Sequence, residues 1–236
     1  MSSNSNTDPL ELAKFDRIAS RWWDPEGEFK PLHQINPLRL EYVEKCLAGV
    51  ANRQIVDVGC GGGLLSEAMA RRGAKVLGID LAERSLDVAR LHALETQTEI
   101  EYQLTSVEEL AQRHSHVFDA VTCMELLEHV PNPALTINAC ARLLRPGGAA
   151  IFSTINRNSR AYLLAVIGAE YVLRLLPCGT HDYRKFIRPS ELATWARAQG
   201  LSLRELRGLG YNPITRRYAL SQDVSVNYLA HFAYDY

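Results

Sequence analysis

Ile55-Val56-Asp57-Val58-Gly59-Cys60-Gly61-Gly62-Gly63 reads as a β-strand running into a glycine turn. A helix over Leu64–Arg72 follows, and the apolar run Lys75-Val76-Leu77-Gly78-Ile79 ends on Asp80. Strand, glycine turn, helix, strand and terminal acid open a doubly wound nucleotide-binding sheet. Gly59 and Gly61 let backbone approach a ligand where a Cβ would collide, and the Asp80 carboxylate can accept hydrogen bonds from a ribose diol. NAD and S-adenosylmethionine both meet those demands, and two details separate them. The third glycine of G-x-G-x-x-G would fall on Leu64, and an acid, Asp57, stands near the end of the first strand. A carboxylate beside a helix N-terminus opposes a dianionic pyrophosphate; it suits a ligand with a sulfonium, an ammonium and no phosphate. The turn therefore reads as a site for S-adenosylmethionine.

Outward from this turn, Ala51–Asp57, Lys75–Asp80, Ile100–Leu104, Phe118–Met124 and Ala149–Ile155 are expected strands. They alternate with expected helices over Leu64–Arg72, Ser85–Leu94, Val107–Arg113 and Ala134–Leu144. Such alternation predicts an α/β fold, a doubly wound and mostly parallel sheet with helices on both faces. Pro146-Gly147-Gly148 is a turn that launches the fifth strand. Beyond Gly200, Leu201–Leu209 and Arg217–Leu220 read as an antiparallel pair closing one edge, which makes the sheet seven-stranded. Pro9 to Val50 forms a helical cap, with Leu12, Phe15 and Ile18 spaced for one buried face. The whole chain is thus a single domain: cap 1–50, cofactor-binding core 51–156, apolar insertion 157–190 and closing strands 191–236.

With 236 residues, 47% of them hydrophobic, the chain can bury a full core. Its net charge of −1 argues against a nucleic-acid partner gripped by a broad basic surface. The five cysteines show no metal-ligand spacing, so they read as reduced thiols of a cytoplasmic protein. Met1 to Asp8 is polar and lacks the basic-then-apolar pattern of a secretory signal.

The ordered set Val-Asp-Val-Gly-Cys-Gly-Gly-Gly, Asp80, Phe118-Asp119-Ala120-Val121, Leu127-Glu128-His129-Val130 and Leu144-Arg145-Pro146-Gly147-Gly148 resembles class I S-adenosylmethionine-dependent methyltransferases over Ala51 to Asn156. A narrower likeness lies outside that core, in Ser20-Arg21-Trp22-Trp23-Asp24, Leu32-His33-Gln34-Ile35-Asn36-Pro37-Leu38-Arg39, Gly179-Thr180-His181-Asp182-Tyr183-Arg184-Lys185 and Gly210-Tyr211-Asn212-Pro213. There the chain resembles the bacterial ubiquinone-biosynthesis O-methyltransferase family. The resemblance implies methyl transfer to phenolic hydroxyls of polyprenylated catechol and demethylubiquinol intermediates, at both O-methylation steps of ubiquinone biosynthesis. It also implies that Arg39, Gly59, Asp80 and Met124 hold the donor. Asp57, Gly61 and Val107, the last in the Ser106-Val107-Glu108 segment where this fold meets adenine, complete the expected cofactor set.

A sulfonium donor is already activated, but a phenol, with a pKa of about 10, must lose its proton to attack well. Glu125, Glu128 and His129 stand at i, i+3 and i+4, so a helical turn would put them on one face. There they either hold a divalent ion such as magnesium against catechol oxygens, or His129, with Glu128 beside it, acts directly as the catalytic base. The resemblance extends to a eukaryotic relative that is associated with magnesium at the matching acid-acid-histidine positions. His181, Tyr183 and Lys185 are further candidates for acceptor recognition.

The stretch Arg160 to Pro177 is unusually apolar. As a helix of about 17 residues it reaches roughly 26 Å, short of a roughly 30 Å hydrocarbon core, and Glu170 and Arg174 interrupt it. It does not span a bilayer. So broad an apolar surface covers an acceptor pocket, packs on a partner, or lies in a lipid interface. A polyprenyl substrate favours the last, on the inner face of the cytoplasmic membrane and beside other ubiquinone-biosynthesis enzymes. Two other readings remain: a class I methyltransferase for another small molecule or tRNA, or a non-catalytic binding subunit of the same fold. A tRNA enzyme would carry a basic face or an Asn-Pro-Pro-Tyr-type motif, and a binding subunit would have a broken glycine loop or no Asp80.

Overall fold

Side chains alternate across a strand, and here both alternating sets are apolar, so the central strands are covered on two faces. In β1 (Gln54–Val58), Val56 and Val58 point to one layer and Ile55 to the other. In β4 (Phe118–Met124), Val121 and Cys123 join the first layer and Ala120 the second. Each fully buried valine or isoleucine contributes roughly 1.5–3 kcal/mol. The helices α5 (Val107–Arg113), α6 (Pro133–Leu143) and α7 (Pro189–Arg197) cover the first layer; α2 (Lys30–Leu47) and α3 (Leu64–Ala70) cover the second. The computed structural model describes residues 6–158, 161, 183–212 and 214–235.

The remaining described elements are α1 (Pro9–Ile18), β2 (Lys75–Asp80), α4 (Glu83–Glu95), β3 (Glu101–Leu104), β5 (Leu144–Ile155), β6 (Leu201–Asn212), β7 (Arg217–Ser221) and β8 (Asn227–Tyr234). The sheet runs β3-β2-β1-β4-β5-β8-β6-β7. Its first five strands are parallel, and β8, β6 and β7 add antiparallel pairings.

The sheet has eight strands where seven were expected. The addition is β8, which inserts between β5 and β6 and pairs Ile155 with Asn227. Its sequence, Asn-Tyr-Leu-Ala-His-Phe-Ala-Tyr, mixes polar and apolar residues without clean alternation, because its central residues are covered on both faces. The fifth strand also begins earlier than expected: Leu144 already pairs with Phe118, and the Pro146-Gly147-Gly148 turn sits inside it beside a register shift. In the cap, α1 buries no residue fully; Leu12, Phe15 and Ile18 are half-buried and face a cavity.

The order reverses between β1 and β4, both of which end at the same edge of the sheet. Doubly wound folds bind ligands in the crevice at such a switch point. Because β8 runs antiparallel to β5, its first residue, Asn227, reaches this same edge.

Candidate functional site

A cavity of about 790 Å³ follows that edge. One end is built by the tips of β1, β2 and β3, the middle by the tip of β4, and the other end by β6, β7 and the start of β8. Arg39, Asp57, Gly59, Gly61, Asp80, Val107, Met124, Glu125, Glu128 and His129 all line it. The ten residues singled out from sequence for the donor, the base and a metal therefore share one space.

At the first end Asp80 is held rigidly. Its Oδ1 accepts hydrogen bonds from the Leu81 and Ala82 N–H groups at 2.7 and 2.8 Å, and its Oδ2 from Gly61 N–H at 2.8 Å. Three of a carboxylate's roughly four acceptor sites are thus engaged, which orients the group and leaves room for a further donor. Burial raises the Asp80 pKa, and the three N–H bonds oppose that shift. Asp57 is deeper, accepting from Ser66 Oγ at 2.6 Å and Thr122 Oγ1 at 2.7 Å. Its pKa too is raised by burial, against the pull of those hydroxyls and of Arg39. Ser66 and Thr122 were not anticipated, since a hydroxyl inside an apolar helix or strand carries no signal of its partner.

The glycine turn is shaped by a side chain as well as by φ. Gly61 has φ +54°, and a Cβ there would come within 2.3 Å of the Trp22 ring; one on Gly62 would come within 2.2 Å. The space beside Gly61, read from sequence as ligand approach, holds an indole in this structure. Trp23 fastens the same turn by donating from Nε1 to Gly62 O at 2.9 Å while stacking on His92 with 3.4 Å between ring centroids. His92 Nδ1 lies 2.8 Å from Glu67 Oε1. At the other wall of the donor end, Ser106 caps α5 by accepting from Glu109 N–H at 3.1 Å, which brings Val107 to the cavity.

In the middle, Arg39 and Glu125 face each other, Nη2 to Oε2 at 2.5 Å, with the guanidinium nearly buried. The Arg39 Nε is buried and finds no hydrogen-bond partner among the described residues. Glu128 is buried and accepts from Thr154 Oγ1 at 2.8 Å; burial raises its pKa. His129 Nδ1 lies 3.1 Å from Glu11 Oε2 on α1, and its ring meets Phe15 edge-on. Burial works against the imidazolium, yet the Glu11 hydrogen bond and the charges of Glu128 and Glu11 outweigh it, so His129 titrates above the ordinary value. Glu11 is correspondingly lowered to about 2, chiefly by its hydrogen bond to His129.

The expectation that Glu125, Glu128 and His129 share one helical face is corrected here. Residues 125–130 form a turn, and Glu125 sits at φ +52°. Their side chains go to three different partners, Arg39, Thr154 and Glu11. Among the described residues no group of three His, Cys, Asp or Glu side chains is placed to hold a metal ion. These donors do not fit a magnesium site as they stand.

At the far end, Tyr211 of β6 and Tyr218 of β7 pack with 4.8 Å between ring centroids and line the cavity with Leu209. Burial, with Tyr211 and Glu125 nearby, pushes the Tyr218 hydroxyl up to about 12. Of the suggested acceptor residues, Lys185 pairs instead with Asp8 at 3.3 Å and Glu11 at 3.5 Å, and Tyr183 packs on Phe186. His181 lies outside the described residues, as does Arg160 to Pro177 apart from Ala161, which is buried. Cys46, Cys60, Cys123 and Cys140 are free thiols.

Residues 56–152 match the methyltransferase domain family. Over 227 residues the chain is 62% identical to a ubiquinone biosynthesis O-methyltransferase of Alkalilimnicola ehrlichii, covering 96% of this chain and 92% of that protein. It is 60% identical to the protein of the same name in an Azoarcus species, covering 97% of each. The chain belongs to the ubiquinone biosynthesis O-methyltransferase family. Solved structures show how general its fold is. A methyltransferase of Thermotoga maritima superposes with a TM-score of 0.65 at 16% identity, covering 94% of this chain and 99% of that one. The magnesium protoporphyrin IX methyltransferase of Synechocystis, with S-adenosylhomocysteine bound, does so with 0.64 at 17% identity, covering 98% and 90%. In this chain that general fold carries the Arg39–Glu125 and Glu11–His129 contacts described above.

Proposed function

We propose that the chain transfers the methyl group of S-adenosylmethionine to a phenolic hydroxyl of polyprenylated catechol and demethylubiquinol rings in ubiquinone biosynthesis. The observation that carries this reading is the single cavity joining the Asp80 end to the aromatic Tyr211–Tyr218 end past His129. Asp80 takes the ribose at its remaining acceptor position, the Gly59–Gly61 turn supports the methionine portion, and Val107 and Met124 border the adenine and the sulfonium. Arg39, held by Glu125, offers its unpartnered Nε to the donor's carboxylate as a charge-assisted hydrogen bond. The donor is a sulfonium and needs no further activation, so the residues' task is to align an aryloxide in line with the methyl carbon.

His129 is the base in this reading. Glu11 engages Nδ1, which leaves Nε2 to take the phenol proton, and the Glu11 carboxylate stabilises the imidazolium that forms. The aryloxide oxygen then bonds to the methyl carbon as the carbon–sulfur bond breaks, releasing S-adenosylhomocysteine. Because the three acid and histidine donors are engaged separately, no step is routed through magnesium. The test is turnover on a short-chain prenyl catechol: Asp80→Ala and His129→Ala should each lose activity, the first with weakened cofactor affinity and the second without.

The stretch Arg160 to Pro177 supports a second element of the proposal, contact with the lipid surface where a polyprenyl acceptor resides. The enzyme would then work as a cytoplasmic protein at the inner face of the membrane, near other enzymes of the same sequence of reactions. Among the described residues no helix is long and apolar enough to cross a membrane. Liposome co-sedimentation of Leu164→Glu, Leu173→Glu and Leu176→Glu combined tests it: binding should be lost while cofactor affinity is retained.

A further inference from the structure

The acceptor end of the cavity contains two buried polar atoms that nothing described so far employs. Ser225 Oγ and Asn227 Oδ1 are both shielded from solvent, both belong to residues lining the cavity, and neither has a hydrogen-bond partner among the described residues. A buried oxygen without a partner is costly, and such groups in a native fold call for a ligand or a water.

Their backbone is fixed by unusual means. Asn156 N–H donates to Val226 O at 2.7 Å and its side chain to Val224 O at 2.9 Å; Asn158 Nδ2 donates to Ser225 O at 2.8 Å. Asp223 Oδ1 accepts from Ser225 N–H at 3.0 Å. On the strand side, Ile155 pairs with Asn227 and Leu209 pairs with Asn227, while Tyr228 donates to Ile187 O at 3.0 Å. The main chain of 224–228 is thus tied from both sides, while the two side-chain oxygens are left open. An incidental surface turn would not need so many ties.

We infer that Ser225 and Asn227 recognise the ring hydroxyl adjacent to the one being methylated, and so set a preference for ortho-diphenols over monophenols. This rests on the phenol reading above. Asn227 Oδ1 can only accept, which matches a phenolic O–H, and Ser225 Oγ can accept or donate. Tyr211, Tyr218 and Leu209 supply apolar walls for a ring. A site built to hydrogen-bond a substrate hydroxyl rejects the analogue lacking it, because its own buried groups are then left unpaired.

The experiment compares kcat/KM for a short-chain prenyl catechol with that for the matching monophenol, in wild type and in Asn227→Ala, Asn227→Asp and Ser225→Ala. Wild type should prefer the diphenol, and Asn227→Ala should cut that preference about tenfold or more, as loss of one buried hydrogen bond predicts. Asn227→Asp, which keeps an accepting oxygen, should restore most of it, and Ser225→Ala should lower it several-fold. Affinity for S-adenosylhomocysteine measured by calorimetry verifies that each variant is folded; if Asn227→Ala is not, Ser225→Ala alone carries the comparison. An unchanged diphenol preference in folded variants would overturn the inference. A wild-type enzyme that methylates neither phenol would instead overturn the proposed function.

Discussion

Glu11 Oε2 lies 3.1 Å from His129 Nδ1, so the first helix of the chain and the turn after β4 are joined at the middle of the cavity. The pair ties the cap to the candidate site and, in the proposed mechanism, sets when His129 can act as a base.

Its pH dependence has a definite sign. Glu11 is lowered to about 2 from an ordinary 4.5, so its contribution to stability is present above 4.5 and is lost as pH falls toward 2. His129 is raised above 6.5, so its contribution is present below 6.5 and is lost as pH rises through the raised value. The proposed role as base needs the neutral imidazole, so kcat/KM should climb with pH through an ionisation above 6.5. Removing the carboxylate by Glu11→Gln leaves burial to dominate and should move that ionisation down. A pH–rate profile of Glu11→Gln identical to wild type would refute the pairing's role.

Asp80→Ala should weaken S-adenosylhomocysteine binding by tenfold or more. Hydrogen bonds to a charged acceptor contribute about 1.5–3 kcal/mol each, and removal of the carboxylate also frees the Gly61 N–H that it orients. Calorimetry showing wild-type affinity would rule out the ribose assignment.

Gly61→Ala should destabilise the fold by about 1–3 kcal/mol through collision with Trp22, with a further cost from φ +54°. Adding Trp22→Ala relieves the collision alone, so the double variant should be less destabilised than the sum of the singles. Denaturant titrations of the four proteins measure this; strict additivity would mean the indole does not constrain the turn.

Turnover should persist in excess chelator, since Glu125, Glu128 and His129 are divided among Arg39, Thr154 and Glu11. Loss of activity restored by added magnesium would contradict this division of the three side chains.

Which parts of this were legible beforehand follows from how local their causes are. The apolar runs of β1, β2 and β4 and the glycine turn are local signals, and β2, β4 and α5 lie where periodicity and caps place them. The β8 strand was missed because its burial comes from neighbours distant in sequence, β5 and β6, and leaves no period-two pattern. Spacing grouped Glu125, Glu128 and His129 only if a helix followed β4, and a left-handed Glu125 prevents that. Glu11 lies 118 positions from His129, and no local pattern links them. Trp22 and Trp23 stood out in the sequence, yet their seat on Gly61 and Gly62 is a tertiary fact.

The most direct measurement of the central claim is methyl transfer itself. Purified protein is incubated with S-adenosylmethionine labelled in the methyl group and a short-chain prenyl catechol, and the products are resolved by mass spectrometry. The structure predicts one labelled methyl ether for each S-adenosylhomocysteine formed, with His129→Ala slower by about 100-fold or more. Binding of the donor without transfer to any phenolic oxygen would contradict it.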